Sequence, residues 1–353
     1  MKGWTVSSPA PGVGARTRPT MRDVAALAGV SIKTVSRVIS GVPTVAPDLA
    51  GRVQAAADKL GYRPNLTASN LRRSDGRTNM IGLLLEDVSN PYSAAVHRAV
   101  EDFFHGRGVL VLAGSLDEDP DRERDLVRTL VNRRVDGLII MPAARDHRWL
   151  VAEQQAGTSF VFVDRPPVPL LADAVVSDNR SGARSAVEHL LKTGCRRVAY
   201  LGDDLDIFTA NERFVGYEAA LAAAGLGTDR RLVRHGIRTV EQARTATAGL
   251  LENERPEGLF TSQNLVTIGA LEALHGARLE HEVALIGFDD VSLGSVVEPG
   301  VSVMAQDPAQ IGTLAAERLL ARMDGDVSPP AVHTVATRLI ARGSGELGDR
   351  ARR

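Results

Sequence analysis

The sequence predicts a small all-α helix-turn-helix domain joined to a two-lobed α/β core made of two doubly wound parallel sheets. Three observations carry this prediction. Thr20 to Ser40 reads as two short helices meeting at one tight turn, and from Asn79 onward short apolar runs alternate with amphipathic stretches. The charge is also divided: residues 1–74 hold eleven lysines and arginines against three aspartates, so with a net charge of −1 the two parts carry +8 and −9. A basic end on an acidic body is the footprint expected of a nucleic-acid contact region, although a solvated basic tail gives the same balance.

In chain order, residues 1–18 read as a disordered leader rich in Ser, Pro, Gly, Ala and Thr, with no apolar stretch of the about 7 to 15 residues a signal peptide needs. Gly12 to Thr20 contains glycines but neither a GK[ST] triplet nor a preceding strand, which excludes a phosphate loop. Residues 19–64 form the helical domain. Thr20 caps the first helix with Asp23 three residues on, and Val24, Leu27 and Ala28 give it an apolar face. Gly29 ends that helix. Ser31 recaps the chain, Val35 and Val38 bury one side of the second helix, and Ile32, Lys33, Ser36 and Arg37 stay outside. Two helices this short need a third, which Pro47 to Leu60 supplies with Leu49, Val53, Ala56, Ala57 and Leu60 on one face. Ala46 at the cap and Gly51 inside this helix should each cost about 1 kcal/mol. Gly61 then permits a left-handed cap, and Pro64 turns Arg63 away from helix.

The outward face of the second helix suits base edges in a major groove: Lys33 and Arg37 can address guanine, Ile32 can press on a thymine methyl, and Ser31, Thr34 and Ser36 are placed for phosphates. An ordinary helical hairpin with a solvated polar face is the plain alternative. The run from Met21 to Arg73, with DVAALAGVSIKTVSRVISG, LGYRPN and ASNLRR, resembles the headpiece of the lactose-repressor family of bacterial transcription regulators. The remainder of the chain resembles that family's sugar-binding core, which is similar to type I periplasmic binding proteins. The resemblance implies a cytoplasmic, nucleoid-associated homodimer that binds palindromic double-stranded operator DNA and is switched by a small-molecule effector. It implies DNA contact for Thr20, Ser31, Ile32, Lys33, Thr34, Ser36, Arg37 and Asn65. It also makes residues 65–78 a hinge helix and linker, with Ala68 packing hinge on hinge and Leu71 wedging a base step from the minor groove. Leu66 to Arg73 is too short for a stable isolated helix, so its folding can be coupled to DNA binding; a plain linker is the alternative.

Apolar content of 44% with 4% aromatics fits a soluble α/β protein, and no apolar run approaches the roughly 20 residues of a membrane span. A single cysteine, Cys195, rules out an intramolecular disulfide and reads as a small buried hydrophobe.

The core is expected over residues 79–345, followed by a tail at 346–353. MIGLLLE, VLVLAGS, GLIIM and SFVFVD form one set of strands, with helical stretches from Ser93, Asp119 and His147 between them. AVVSD, RVAYLG, RLVRHG, GLFTS and VALIGFDD form a second set, interleaved with helices starting near Ser181, Ala210, Val240 and Val266. Parallel strands buried on both faces explain why these runs are almost wholly apolar. The family's crossovers imply a first lobe at about 79–164 and 291–324, holding the helix Ala309 to Met323, and a second at about 165–290 and 325–345, holding VHTVATRLIARGS.

Ligands of open α/β sheets sit beyond the carboxyl ends of the strands, and with two lobes those ends face one cleft. Polar residues just after strands are Asn90, Tyr92, Asp164, Arg165, Arg213, Gln263, Asn264, Asp289 and Gln306. Carboxylates, guanidinium groups and amides with one aromatic suit a polyhydroxylated sugar. Capping of the following helix is the plain alternative for Asn90, Asn264 and Asp178. The resemblance extends to the periplasmic ribose-binding protein and the ribose-repressor branch, at NPY, DR, NERFVGY, the amide before LVTIGA, GFDD and AQDPAQIG; it implies a monosaccharide effector, a pentose such as ribose being favoured. Ser93 in place of a second aromatic and Asn264 in place of an Asp depart from that branch.

No metal or other cofactor is expected, because the eight histidines show no HxxxH or Cys-partnered spacing; no GxSxG or comparable nucleophile motif occurs, so no enzyme is expected. The acidic run Asp117 to Asp125 reads as a solvated helix start. Two rivals stay open: a purine or other non-sugar effector, and, from another class, a sugar-binding receptor. The sign of the effector's action on DNA binding is open as well.

Overall fold

The computed structural model describes residues 19–39, 44–63, 77–169 and 171–347. The chain divides between Thr78 and Asn79 into two compact units. In the first, α1 spans Met21–Ala28, α2 Ile32–Ile39 and α3 Pro47–Leu60. The capping box at α1 forms: Thr20 N donates to Asp23 Oδ2 at 2.7 Å while Asp23 N donates to Thr20 Oγ1 at 3.4 Å. The Thr20 hydroxyl, donating to Asp23 Oδ2 at 2.7 Å, and Thr20 N hold the Asp23 carboxyl below its ordinary pKa. Gly29 adopts φ 64°, which only glycine takes without strain. Val24, Ala25, Ala28, Val35, Val53, Ala56 and Ala57 are the core of this unit. Leu27, expected on the buried face, is instead 46% exposed, and Ala25 takes its place, because three crossing helices this short bury only the residues nearest the crossing. Ala46 makes no side-chain cap for α3, as its methyl predicts. Arg52 on α3 compensates elsewhere, its Nη2 donating to Ala28 O, an end-of-helix carbonyl of α1, at 2.6 Å. The leader 1–18 and the hinge residues Asn65, Ala68 and Leu71 lie outside the described residues.

The second unit contains two six-stranded sheets. Strands β1 (Met80–Leu85), β2 (Leu110–Ser115), β3 (Gly137–Ile140), β4 (Ser159–Val163), β5 (Asp173–Ser177) and β11 (Val332–Val335) form the first, in the order β11-β5-β4-β3-β1-β2. Strands β6 (Val198–Leu201), β7 (Val233–Arg234), β8 (Gly258–Thr261), β9 (Ala284–Phe288), β10 (Ser302–Ala305) and β12 (Arg338–Ile340) form the second, in the order β12-β10-β9-β8-β6-β7. All neighbours are parallel except β10 and β12. The first sheet is covered on one face by α4 (Pro91–His105) and α11 (Pro308–Met323) and on the other by α5 (Pro120–Asn132), with α6 (Val151–Gln155) a short helix after His147. The second is covered by α7 (Asn179–Lys192) with α8 (Phe208–Ala223), and by α9 (Val240–Asn253) with α10 (Asn264–Ala277). No helix among the described residues is long and apolar enough to cross a membrane.

The lobe boundaries differ from those expected. AVVSD, taken above as the start of the second set, is β5 of the first sheet and pairs in parallel with β4. Its anchor is Asp173, fully buried, which accepts bonds from Arg318 Nε and Arg322 Nε on α11 at 2.9 and 3.0 Å and from Ala331 N, just before β11, at 3.0 Å. Conversely β10, expected in the first lobe, pairs with β9 in the second, and VHTVATRLI is shared, β11 going to the first sheet and β12 to the second. Residues 346 and 347 are not tail: Glu346 Oε2 accepts from Ser302 Oγ at 2.9 Å and Leu347 is buried. The chain therefore crosses between lobes three times, after Ser177, Ala305 and Val335.

Candidate functional site

The carboxyl ends of the strands from both lobes converge on one cavity. It is lined by Glu86, Asn90, Tyr92, Glu118, Asp164 and Arg165 from the first lobe and Asp203, Thr209, Arg213, Ser262, Gln263, Asn264, Asp289 and Gln306 from the second. All nine strand-end residues given above for the ligand are thus brought together. The strand-end geometry is strained at two equivalent points, since Asp164 after β4 and Asp289 after β9 both hold positive φ, 71° and 72°. A non-glycine residue in that region costs of order 1 to 3 kcal/mol, which the surrounding bonds must hold in place.

On the first lobe, Asn90 caps α4, its Oδ1 accepting from Tyr92 N at 3.0 Å. The same oxygen accepts from Asn264 Nδ2 at 2.9 Å, a bond made across the cleft. The Tyr92 hydroxyl is buried, with the Ser177 side chain beside it. Burial also pushes that phenol well above its ordinary pKa. Arg165 is enclosed by acids: Nη1 and Nη2 donate to the two Glu118 oxygens at 2.9 and 2.7 Å, and Nε to Asp164 Oδ2 at 3.2 Å. Burial opposes its charge, yet Asp164 and Glu118 raise its pKa further above the usual arginine value.

On the second lobe, Arg213 Nε donates to Asn179 Oδ1 at 2.7 Å and Nη1 to Ser262 O at 2.6 Å, with the guanidinium lying 4.0 Å over the Phe288 ring. Gln263 Nε2 donates to Ile237 O at 2.9 Å, so its amide is partly committed to the neighbouring loop. Gln306 donates from Nε2 to Asp289 Oδ1 and accepts at Oε1 from Ser177 Oγ. Burial raises the Asp289 pKa against the pull of Arg213 and Gln306. Ser177 ends β5 and Gln306 directly follows β10, each at a lobe crossover, so this chain of bonds joins the cavity wall to two of the crossovers.

Sequence reasoning missed Glu86, Glu118, Asp203, Thr209 and Ser262. Glu118 had been read as part of a solvated acidic run; that reading is corrected, because Glu118 is paired with Arg165 and Glu123 of the same run is fully buried, its Oε2 accepting from Ala143 N and Ala144 N at 2.6 and 2.8 Å. The strand-end rule would have found Glu86 and Glu118, which follow β1 and β2, had it been applied to every strand. Glu86 is pushed up to about 7, first by burial and then by Glu118 and Asp164, with Arg165 pulling the other way. An outer chamber of about 570 Å³ adjoins the cavity, bordered by Pro120, Val168, Asp206, Phe208, Asn211 and Arg238.

In the helical unit, Ile32, Lys33 and Arg37 stand exposed on α2, whereas Ser36 is half-buried. Thr20 is engaged in capping α1. Ser31 Oγ accepts from Thr34 N at 3.1 Å and lies 2.9 Å from Thr34 Oγ1, so both hydroxyls serve the start of α2.

Residues 20–65 match the profile of bacterial regulatory proteins of the lacI family, and residues 187–345 that of a periplasmic binding protein-like domain. The chain is 34% identical over 335 residues to the HTH-type transcriptional regulator PtxS of Pseudomonas plecoglossicida, covering 94% of this chain and 96% of that protein. It is 29% identical over 336 residues to the ribose operon repressor of Halalkalibacterium halodurans, covering 94% and 98%. Among solved structures it is similar to a complex of the transcriptional regulator CelR with cellobiose, at 29% identity, TM-score 0.68 and coverage of 93% of this chain and all of that one.

Proposed function

The chain belongs to the lacI family of bacterial regulatory proteins, and from that premise we propose that it is a cytoplasmic, homodimeric repressor of carbohydrate-utilisation genes, binding a palindromic operator and controlled by a monosaccharide between its lobes. A pentose such as ribose is the favoured effector. The observation that carries the reading is the run Asp289, Gln306, Ser177: a ligand hydroxyl hydrogen-bonded to Asp289 perturbs a contact that spans two of the three lobe crossovers. Asn264 to Asn90 gives this arrangement of the lobes a bond across the cleft. If the DNA-competent and incompetent lobe arrangements differ in sugar affinity by about 1 to 3 kcal/mol, operator affinity shifts about 5- to 150-fold, and reciprocally. Lys33, Arg37 and Ile32 are the exposed groups for base edges, and Asn65, Ala68 and Leu71 the hinge contacts.

Tyr92 is the one aromatic lining the cavity among the described residues, which counts against a stacked purine. The outer chamber favours one second reading, a sugar of two units whose far end occupies it, as the cellobiose complex of the similar CelR illustrates. The test is binding of the full-length protein to a panel of palindromic DNAs at fixed salt. Sequence-specific binding supports the regulator; salt-labile binding without sequence preference contradicts it.

A further inference from the structure

We infer that the cleft selects against negatively charged effectors, so that the sugar governing this regulator is the free form and not its phosphate ester or its acid. The inference rests on the sugar reading given above. Its basis is the balance of donors and acceptors on the cavity wall. Five carboxyl groups line it, Glu86, Glu118, Asp164, Asp203 and Asp289, against two guanidinium groups, Arg165 and Arg213.

Binding an anion in a closed site needs positively charged N–H groups with hydrogen bonds to spare. Arg165 commits an N–H at each of its three nitrogens, Nη1 and Nη2 to Glu118 and Nε to Asp164, so its charge and three of its five donors are already taken by carboxylates. Arg213 commits Nε to Asn179 Oδ1 and Nη1 to Ser262 O, and its charge faces Asp289 Oδ2 4.0 Å from Nη1. Helix N-termini are the other resource for a phosphate, and there too the chain supplies its own acceptors: Asn90 Oδ1 takes Tyr92 N of α4 at 3.0 Å, and Asn264 Oδ1 takes Leu265 N of α10 at 2.7 Å. Acceptors, by contrast, are in surplus. The Glu86 side chain accepts no hydrogen bond from the described residues, and it faces Glu118, Asp164 and Asp203 with Arg165 as the nearby cation. Such a wall is completed by hydroxyl donors and opposed by a second anion. Glu118 is the determinant, because it occupies the fork with which Arg165 would otherwise grip a phosphate or carboxylate. The effector therefore stands before the phosphoryl-transfer or oxidation step that consumes a free sugar.

The experiment is calorimetric titration of the full-length protein at pH 8 and fixed ionic strength with matched sets: ribose and ribose 5-phosphate, glucose with glucose 6-phosphate and glucuronate, galactose and galacturonate. The expected result is that a neutral member binds and its anionic counterparts bind at least about tenfold more weakly. In a Glu118→Gln, Glu86→Gln double variant that ratio should fall to within about threefold. An anionic member binding the wild type as tightly as its neutral counterpart, or tighter, overturns the inference while leaving a sugar effector standing. So does a ratio unmoved in a variant whose circular dichroism is native. Binding of no sugar in any set overturns the sugar reading itself, and the inference with it.

Discussion

Glu86 is a carboxylic acid with a pKa lifted to about 7 by burial and by the charges of Glu118 and Asp164, so at neutral pH its ionisation works against the fold. The sign follows from linkage. The folded protein binds this proton more tightly than the unfolded chain, so the penalty is absent below the ordinary glutamate pKa near 4.5 and fully present above about 7. Glu86→Gln should accordingly raise the stability of the core at pH 8 by about 1 to 3 kcal/mol, after discounting for solvent screening, and leave it unchanged near pH 4.5. Urea unfolding at the two pH values checks this, and an equal effect at both would contradict it. On α2, Arg37→Ala should cost about 1 to 3 kcal/mol of discrimination at one operator position, read from binding to single-base variants, and an unchanged base preference would remove Arg37 from the reading head. The nine strand-end residues could be read from the sequence because the βα rule ties position to the cleft. That Arg165 is spent on Glu118 could not, because the pairing joins two strand ends 47 residues apart.

Among the elements, boundaries carried by local chemistry were legible and those carried by long-range pairing were not. Thr20, Gly29, Pro47 and Gly61 mark the ends of α1 and α3 where expected. The membership of β5 and β10 was misread, because an apolar run does not say which sheet it joins; Asp173 with Arg318 and Arg322 decides it for β5. Ala46→Asp supplies the missing cap of α3 and should stabilise the helical unit by about 1 kcal/mol, seen as slower hydrogen exchange at α3 amides of the full-length chain. Where α10 crosses α9, a methyl at Gly269 would lie 2.3 Å from Val240 O and 2.5 Å from the Ala243 Cβ. Gly269→Ala should therefore cost about 1 to 3 kcal/mol in denaturant unfolding, and a neutral substitution would show that this helix pair can spread.

In the whole core, residues that face the cavity, Asp289 and Gln306, also brace the lobe crossovers. Family membership makes the chain a transcriptional regulator, and the physical question is how a small molecule changes its grip on DNA. Asp164→Ala should abolish the response to sugar, read as operator binding that no sugar alters. The most direct measurement is operator affinity of the full-length protein by fluorescence anisotropy, with and without saturating sugar, for the wild type and Gln306→Leu, with sugar binding measured in parallel. The account predicts a shift of about 5- to 150-fold in the wild type that falls toward one in Gln306→Leu at sugar concentrations that saturate the variant, whose sugar affinity is itself lowered by the lost contact. A wild-type operator affinity indifferent to every bound sugar, or a variant that keeps the full shift, would contradict it.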